Sequence, residues 1–310
     1  MRYMLLIGLL ASATLAQAQP RAIGPAEILY DADTPFAQPR WSPDGIRVAF
    51  TTPGHQGLWV FDLNSQAATP ITDALAAGFG MQWSPDGQAI LARTSTYDGP
   101  TRWHEVTVFD LPSGTAQTLA PRQALMPTVP VWNASGDAVY LASNATVERF
   151  DAGRAGIADK AALPTLLHHD DTILQVRDEN TLNRHVPFDE ATLLNVTPSP
   201  DGQRVAFEVL GGNLFTMNAD GSELTDLGQG HRPQWSPDGA WVIFQRTTND
   251  GYTYTSADLY AAAARGGTEV RLTDTPERLE VNPAWSPDGT RVAFDDARTG
   301  TLYVLPIAYD

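Results

Sequence analysis

An all-β chain of repeated, radially stacked sheets is what the sequence predicts, and three observations predict it. A pentad, Trp-Ser-Pro-Asp-Gly, starts at Trp41, Trp83, Trp235 and Trp285, recurs as Pro198-Ser199-Pro200-Asp201-Gly202, and is degenerate as Trp132-Asn133-Ala134-Ser135-Gly136. Each copy is followed by short β-branched and aromatic runs bounded by Gly, Pro and Asp, which is the composition of strands. Successive copies start 42, 49, 66, 37 and 50 residues apart. Apart from one long interval this is the ~40–50-residue period of propeller blades. Six copies predict a six-bladed β-propeller of four-stranded antiparallel blades, with blades starting near residues 39, 81, 130, 196, 233 and 283.

Residues 1–18 read as an address rather than structure. Arg2 supplies a positive start, Tyr3 to Leu15 an apolar stretch, and Ala16-Gln17-Ala18 a small-x-small cleavage signature. Cutting after Ala18 leaves residues 19–310 as one exported propeller, periplasmic or secreted, with no membrane anchor. No Cys stands at the cut, so a lipid anchor is not expected.

Within the repeat, the pentad has a mechanical role. The prolines Pro43, Pro85, Pro200, Pro237 and Pro287 preset φ for the first corner of a turn. Asp44, Asp86, Asp201, Asp238 and Asp288 tolerate the second, and Gly45, Gly87, Gly202, Gly239 and Gly289 supply positive φ. The pentad therefore joins an inner strand A to a strand B. Runs such as Ile46–Thr51 and Leu58–Asp62 are strands B and C, and shorter runs such as Thr69–Thr72 are strand D. Trp41, Trp83, Trp132, Trp235 and Trp285, on the inner strand, are large and flat enough to fill the gap between blades. The last repeat stops at Asp310, short of a strand D, whereas the chain offers an extra run, Glu27–Asp31, ahead of the first pentad. That run is expected to pair with the last blade and close the ring.

Composition narrows the function. The 310 residues carry 20 Lys+Arg against 36 Asp+Glu, a net charge of −16, which repels phosphate backbones and argues against nucleic-acid binding. There is no cysteine, and Lys160 is the only lysine. Disulfides, thiolate sites and cysteine nucleophiles are absent, and lysine-based covalent chemistry has little room.

The tandem pentads, followed by strands such as Arg47-Val48-Ala49-Phe50 and Arg291-Val292-Ala293-Phe294, resemble the TolB-type propeller repeat, a distant cousin of the WD repeat. The resemblance covers about residues 27–310. It implies a propeller at the bacterial envelope. It does not make the chain TolB itself, because no room remains for the α/β domain that precedes the propeller there. Propeller lyases acting on oligogalacturonate share similar repeats and use a metal, but their ligands find no counterpart to align here.

No nucleophile–base–orienter set, Gly-x-Ser-x-Gly, phosphate loop or EF-hand loop occurs. The pentad aspartates are accounted for by their turns. The 66-residue interval holds His168, His169, Asp170 and, further on, His185. They are weak metal candidates, since adjacent residues of a strand point to opposite faces. This interval is expected to be a decorated outer strand and loop of the third blade, with a helical turn near 157–167. No cofactor and no catalytic residue are assigned.

A binding surface is the stronger expectation. The B–C and D–A loops share one face of the disc. The second repeat places Tyr97, Arg102, Trp103 and His104 there, the fifth Tyr252 and Tyr254, and the D–A segment Phe79. Three blades apart in a ring of six, the two long loops would stand diametrically opposite. Aromatic and Arg residues on loops are the usual anchors of hot spots. The sequence therefore points to a non-catalytic interaction module or envelope scaffold, monomeric, binding an envelope or secreted protein or peptide. The alternative is a small metal-dependent lyase or hydrolase at the channel mouth.

Overall fold

The computed structural model describes residues 18–310, apart from 144–145, 159–163 and 179–180. Two short strands, β1 (Pro20–Ala22) and β2 (Glu27–Tyr30), precede seven antiparallel sheets. Blade 1 comprises β3 (Ala37–Trp41), β4 (Arg47–Thr51), β5 (Leu58–Asp62) and β6 (Ala67–Thr72). Blade 2 comprises β7 (Gln82–Trp83), β8 (Ala89–Asp98), β9 (Thr101–Asp110) and β10 (Thr115–Thr118). Blade 3 has β11 (Val131–Trp132), β12 (Ala138–Ser143) and β13 (Thr146–Asp151), and blade 4 has β14 (Thr165–His169), β15 (Thr172–Asp178) and β16 (Thr181–His185). Blade 5 comprises β17 (Leu193–Pro198), β18 (Arg204–Val209), β19 (Leu214–Asn218) and β20 (Thr225–Gly228). Blade 6 comprises β21 (His231–Trp235), β22 (Trp241–Asn249), β23 (Tyr254–Ala263) and β24 (Glu269–Arg271). Blade 7 is built on β25 (Glu280–Trp285), β26 (Arg291–Asp296) and β27 (Leu302–Tyr309). Residues 1–17, which hold nearly all of the expected leader, and Lys160 lie outside the described residues.

Seven blades, not six, form the ring, and among the described residues blades 3 and 4 have three strands rather than four. The long interval is not decoration on blade 3. It is a blade of its own, and the stretch expected to turn helically is in part β14. Blade 4 was invisible to the repeat count because it has no pentad. Its β14–β15 hairpin turns on Asp170-Asp171, with His169 paired to Thr172 and Asp170 at φ +51°. Leu166, Leu167, Ile173 and Leu174 are all buried. At about 1.5–3 kcal/mol for each large side chain taken out of water, these four can hold a blade between its neighbours without the motif.

Blade 4 is also threaded differently. Pro164, just before β14, lies against Gly202 of the blade 5 pentad, where a Cβ would meet its ring at 3.5 Å. Asp170, just after β14, accepts the Leu193 N–H at 2.9 Å, at the start of β17. So β14 runs antiparallel to β17, against the sense of the pentad inner strands.

Each blade's faces are buried by its neighbours. Trp132 packs with Leu91 and Val108 of blade 2. Trp285 packs with Trp241 and Ile243 of blade 6, and Trp41 with Ala284 and Ala293 of blade 7. Indoles also latch blade to blade. Trp83 Nε1 donates to the Arg40 carbonyl at 3.0 Å, and Trp235 Nε1 to the Thr197 carbonyl at 2.9 Å. In the pentads, Ser84, Ser199, Ser236 and Ser286 donate their hydroxyls to the aspartate two residues on, at 2.5–2.6 Å. That brace fixes the turn.

The ring closes at the termini. β2 pairs with β27 through Glu27–Val304 and Ile28–Tyr303, and β1 pairs further along the same strand, Pro20 opposite Tyr309. The outer strand expected at Glu27–Asp31 is thus two strands on one partner, and the blade it completes is the seventh.

Candidate binding site at the propeller face and axis

Two hairpins outrun the others. β8 and β9 have 10 residues each, and β22 and β23 have 9 and 10. Both are B–C hairpins, so their tips stand on the face opposite the pentad turns. They belong to blades 2 and 6. In a ring of seven these are three steps apart one way and four the other, so the diametric placement expected for six blades does not hold.

The expected binding residues divide into two sets. Tyr97, Tyr252, Tyr254 and Phe79 are 61%, 97%, 44% and 41% exposed. Arg102 is exposed opposite Tyr97. Trp103 and His104 are tied down. The Arg122 guanidinium lies over the Trp103 ring at 4.7 Å. His104 Nδ1 is 2.9 Å from Ser95 Oγ, and its backbone exchanges both hydrogen bonds with Gln123. Burial, with Arg93 and Arg102 nearby, lowers the His104 pKa. These two residues strap the hairpin to the segment after β10.

The histidines of blade 4 are spread over two strands. His168 pairs with Ile173, and Ile173 with His185. The His168 and His185 backbones therefore lie on the two edge strands of the blade with buried Ile173 between them, about 10 Å apart at two strand spacings. His169 points to the other face, with Nδ1 3.3 Å from Asp170. Burial pushes His168 down to about 4, so it is neutral. Among the described residues no three His, Asp or Glu side chains converge as a metal site.

What the sequence reading missed lies on the axis. Three residues before the pentad, the inner strand bulges with positive φ at Gln38, Asn195, Arg232 and Asn282. The bulge turns a backbone N–H out of its own ladder, and a buried N–H must find a partner. The partner comes from the preceding blade, ten residues after that blade's pentad start. Asp295 accepts from Gln38 N–H at 2.9 Å, Gln245 from Asn282 N–H at 2.7 Å, and Glu208 from Arg232 N–H. The Asn282 side chain also donates to Asp295, at 2.9 Å. Glu208 further receives Asn195 Nδ2 and faces His231 Nδ1 at 3.2 Å. That hydrogen bond raises the His231 pKa above its usual value, against burial. In blade 2 the equivalent residue is Arg93, whose Nη1 donates to the Met126 carbonyl at 3.0 Å.

The carboxylates of this ring are spent on capping bulges, so they are poor candidates for acid–base work. Asp295 is fully enclosed, and burial pushes its pKa up to about 7 despite the Gln38 and Asn282 donors and the nearby Arg232 and Arg40 charges. A signal for the ring was present: Pro39, Pro233 and Pro283 follow three of the bulge residues, and polar residues recur at the tenth position.

Comparison with solved structures supports the fold. No family model matches the chain. The TolB of Acinetobacter baumannii superposes with TM-score 0.58 at 18% identity over 83% of this chain, which spans 59% of that protein. A putative TolB from Agrobacterium tumefaciens gives 0.58 at 18% identity, over 95% of this chain and 98% of that one. An oligogalacturonate lyase from Vibrio parahaemolyticus gives 0.60 at 13% identity, over 94% and 97%. At these identities the likeness is one of fold, and folds of this kind host unrelated functions.

Proposed function

We propose that this chain is an exported, non-catalytic binding propeller that holds a protein or peptide segment of an envelope or secreted partner on the face carrying the β8–β9 and β22–β23 hairpins. The observation that carries this reading is the pair of overlong hairpins with tyrosines at their tips. A Tyr that is 97% exposed at position 252 contributes nothing to its own fold, whereas Tyr supplies large contact area at low entropic cost in a paratope-like surface. The capped carboxylates are consistent with binding rather than turnover. The leader read at residues 1–18 supplies export. Gln19, the residue after the expected cut, exchanges both backbone hydrogen bonds with Asp310 at 3.0 and 3.1 Å, so a chain starting there can still latch.

The test is the double variant Tyr97→Ser/Tyr252→Ser. Both side chains are exposed, so stability should stay within about 0.5 kcal/mol of the parent. Crosslinking capture from the native envelope should recover a defined partner with the parent and lose it with the variant. Recovery of the same protein by both would remove the hairpin face from consideration. N-terminal sequencing of the exported protein should begin at Gln19.

A further inference from the structure

Nineteen of the twenty basic residues of this chain are arginines, and many are consumed by carboxylates. Arg154 bridges Asp86 and Asp110, Arg246 pairs with Glu269, and Arg271 with Asp258 and Asp274. Arg40, Arg93 and Arg232 differ. Among the described residues no carboxylate oxygen comes within 4.0 Å of their guanidinium nitrogens, although the chain carries a large excess of acids.

These three arginines come from three blades and stand at the level of the bulges that ring the axis. Arg40 precedes Trp41 on β3, Arg232 sits at the bulge of β21, and Arg93 occupies the capping position of β8. Their charges act on one another and on His55 of the β4–β5 loop. His55 is lowered by burial, then by Arg232 of blade 6 and Arg93 of blade 2. Arg40 is lowered to about 10 by burial and then by Arg232. Phe79 joins the group as a wall, with the His55 ring edge-on at 5.4 Å and the Arg93 guanidinium over its face at 4.6 Å. Asp295, the carboxyl facing Arg40 and Arg232, is already bonded to two donors and has its ionisation displaced toward neutral pH, so it neutralises them poorly.

Donors remain open. Arg40 spends one N–H on the neighbouring Pro39 carbonyl at 3.1 Å, and Arg93 one on Met126. Arg93 Nε and His55 Nδ1 are buried with no hydrogen-bond partner, and the Arg232 guanidinium makes no hydrogen bond among the described residues. Like charges gathered in a partly desolvated channel are costly unless a counter-charge arrives. The planar fork of Arg matches carboxylate and phosphate oxygens.

We propose that the channel mouth between blades 1, 2 and 6 is a binding site for an oxyanion-bearing ligand, carboxylate or phosphate, held by Arg40, Arg93 and Arg232 with His55 beside them. The site is independent of the hairpin reading, since it uses neither Tyr97 nor Tyr252.

The experiment is isothermal titration of the full chain with inorganic phosphate and, separately, citrate, at ionic strength held constant with sodium chloride. The parent is compared with Arg232→Gln, Arg40→Gln and Arg265→Gln, the last a like charge change on an exposed turn of blade 6 that pairs with Glu223. Saturable binding of at least one anion by the parent is expected. It should weaken by about tenfold or more in each axial variant, the size of one lost charge-assisted hydrogen bond, and stay unchanged in Arg265→Gln. Binding of phosphate alone identifies a phosphate ligand, and of citrate alone a carboxylate. Circular dichroism confirms folding, and either axial variant suffices if the other fails to fold. Absence of saturable binding of both anions to the parent, or undiminished binding in the folded axial variants, overturns the site.

Discussion

Deleting residues 19–33 should lower the thermal midpoint by about 10 °C or more, given that about 1 kcal/mol moves a domain of this size by ~2–4 °C. The segment is the whole outer strand of blade 7. β1 and β2 occupy six paired positions along β27, from Tyr309 to Leu302. Tyr30 also sets its ring 5.4–5.6 Å from Phe36, Phe50 and Phe61 of blade 1, so the same segment stitches the seam between the last blade and the first. Tyr30→Ala removes only the ring cluster and should cost about 2–3 kcal/mol, at or below the usual range for an aromatic truncation because the side chain is half-buried. Calorimetry of both variants reads the effect. An unchanged midpoint for the deletion would mean that the ring stays shut without its latch.

The second large effect is a gain. Glu280 is 0% exposed, and neither carboxyl oxygen has a hydrogen bond of good geometry, although the Thr273 and Thr275 hydroxyls stand close by. It stands five residues before Trp285, the position at which blades 1 and 5 place the buried Phe36 and Leu193. A carboxyl therefore occupies a position that blades 1 and 5 fill with apolar side chains. Burial raises its pKa above the ordinary 4.5, with Thr273, Thr275 and Arg278 pulling partly the other way. Since the folded state holds the proton more tightly than the unfolded chain, the contribution to stability is full below pH 4.5 and is lost as pH rises through the raised value. Glu280→Leu should thus be more stable than the parent by about 1–3 kcal/mol at pH 8, with the gap narrowing at pH 4. Asp295, raised to about 7, adds a slope of the same sign to both proteins and cancels in the comparison. Urea denaturation at the two pH values measures it. A gap that does not grow with pH, or a parent more stable at pH 8, would show that the carboxyl has found partners in solution.

Much of the blade architecture was legible because its cause is local. Pro-Asp-Gly makes a tight turn wherever it occurs, the preceding Ser braces it, and the alternating run that follows can only be a half-buried strand. The tips of the long hairpins were legible for the same reason, being hydrophilic stretches flanked by strands. Trp103 shows what local reading leaves out. An indole on a loop looks like a contact, but Arg122, nineteen residues away, folds over it.

What one chain of letters establishes here is a closed array of sheets with a latch at its ends, since turn chemistry and alternation act over a few residues at a time. The number of blades and the axial cluster lay beyond it. Blade 4 has no turn motif and stands because blades 3 and 5 bury its leucines and isoleucine. Arg40, Arg93 and Arg232 are set around one axis because the ring closes, bringing together strands as many as 192 residues apart. Burial against neighbours and closure of a circle are properties of the packed whole.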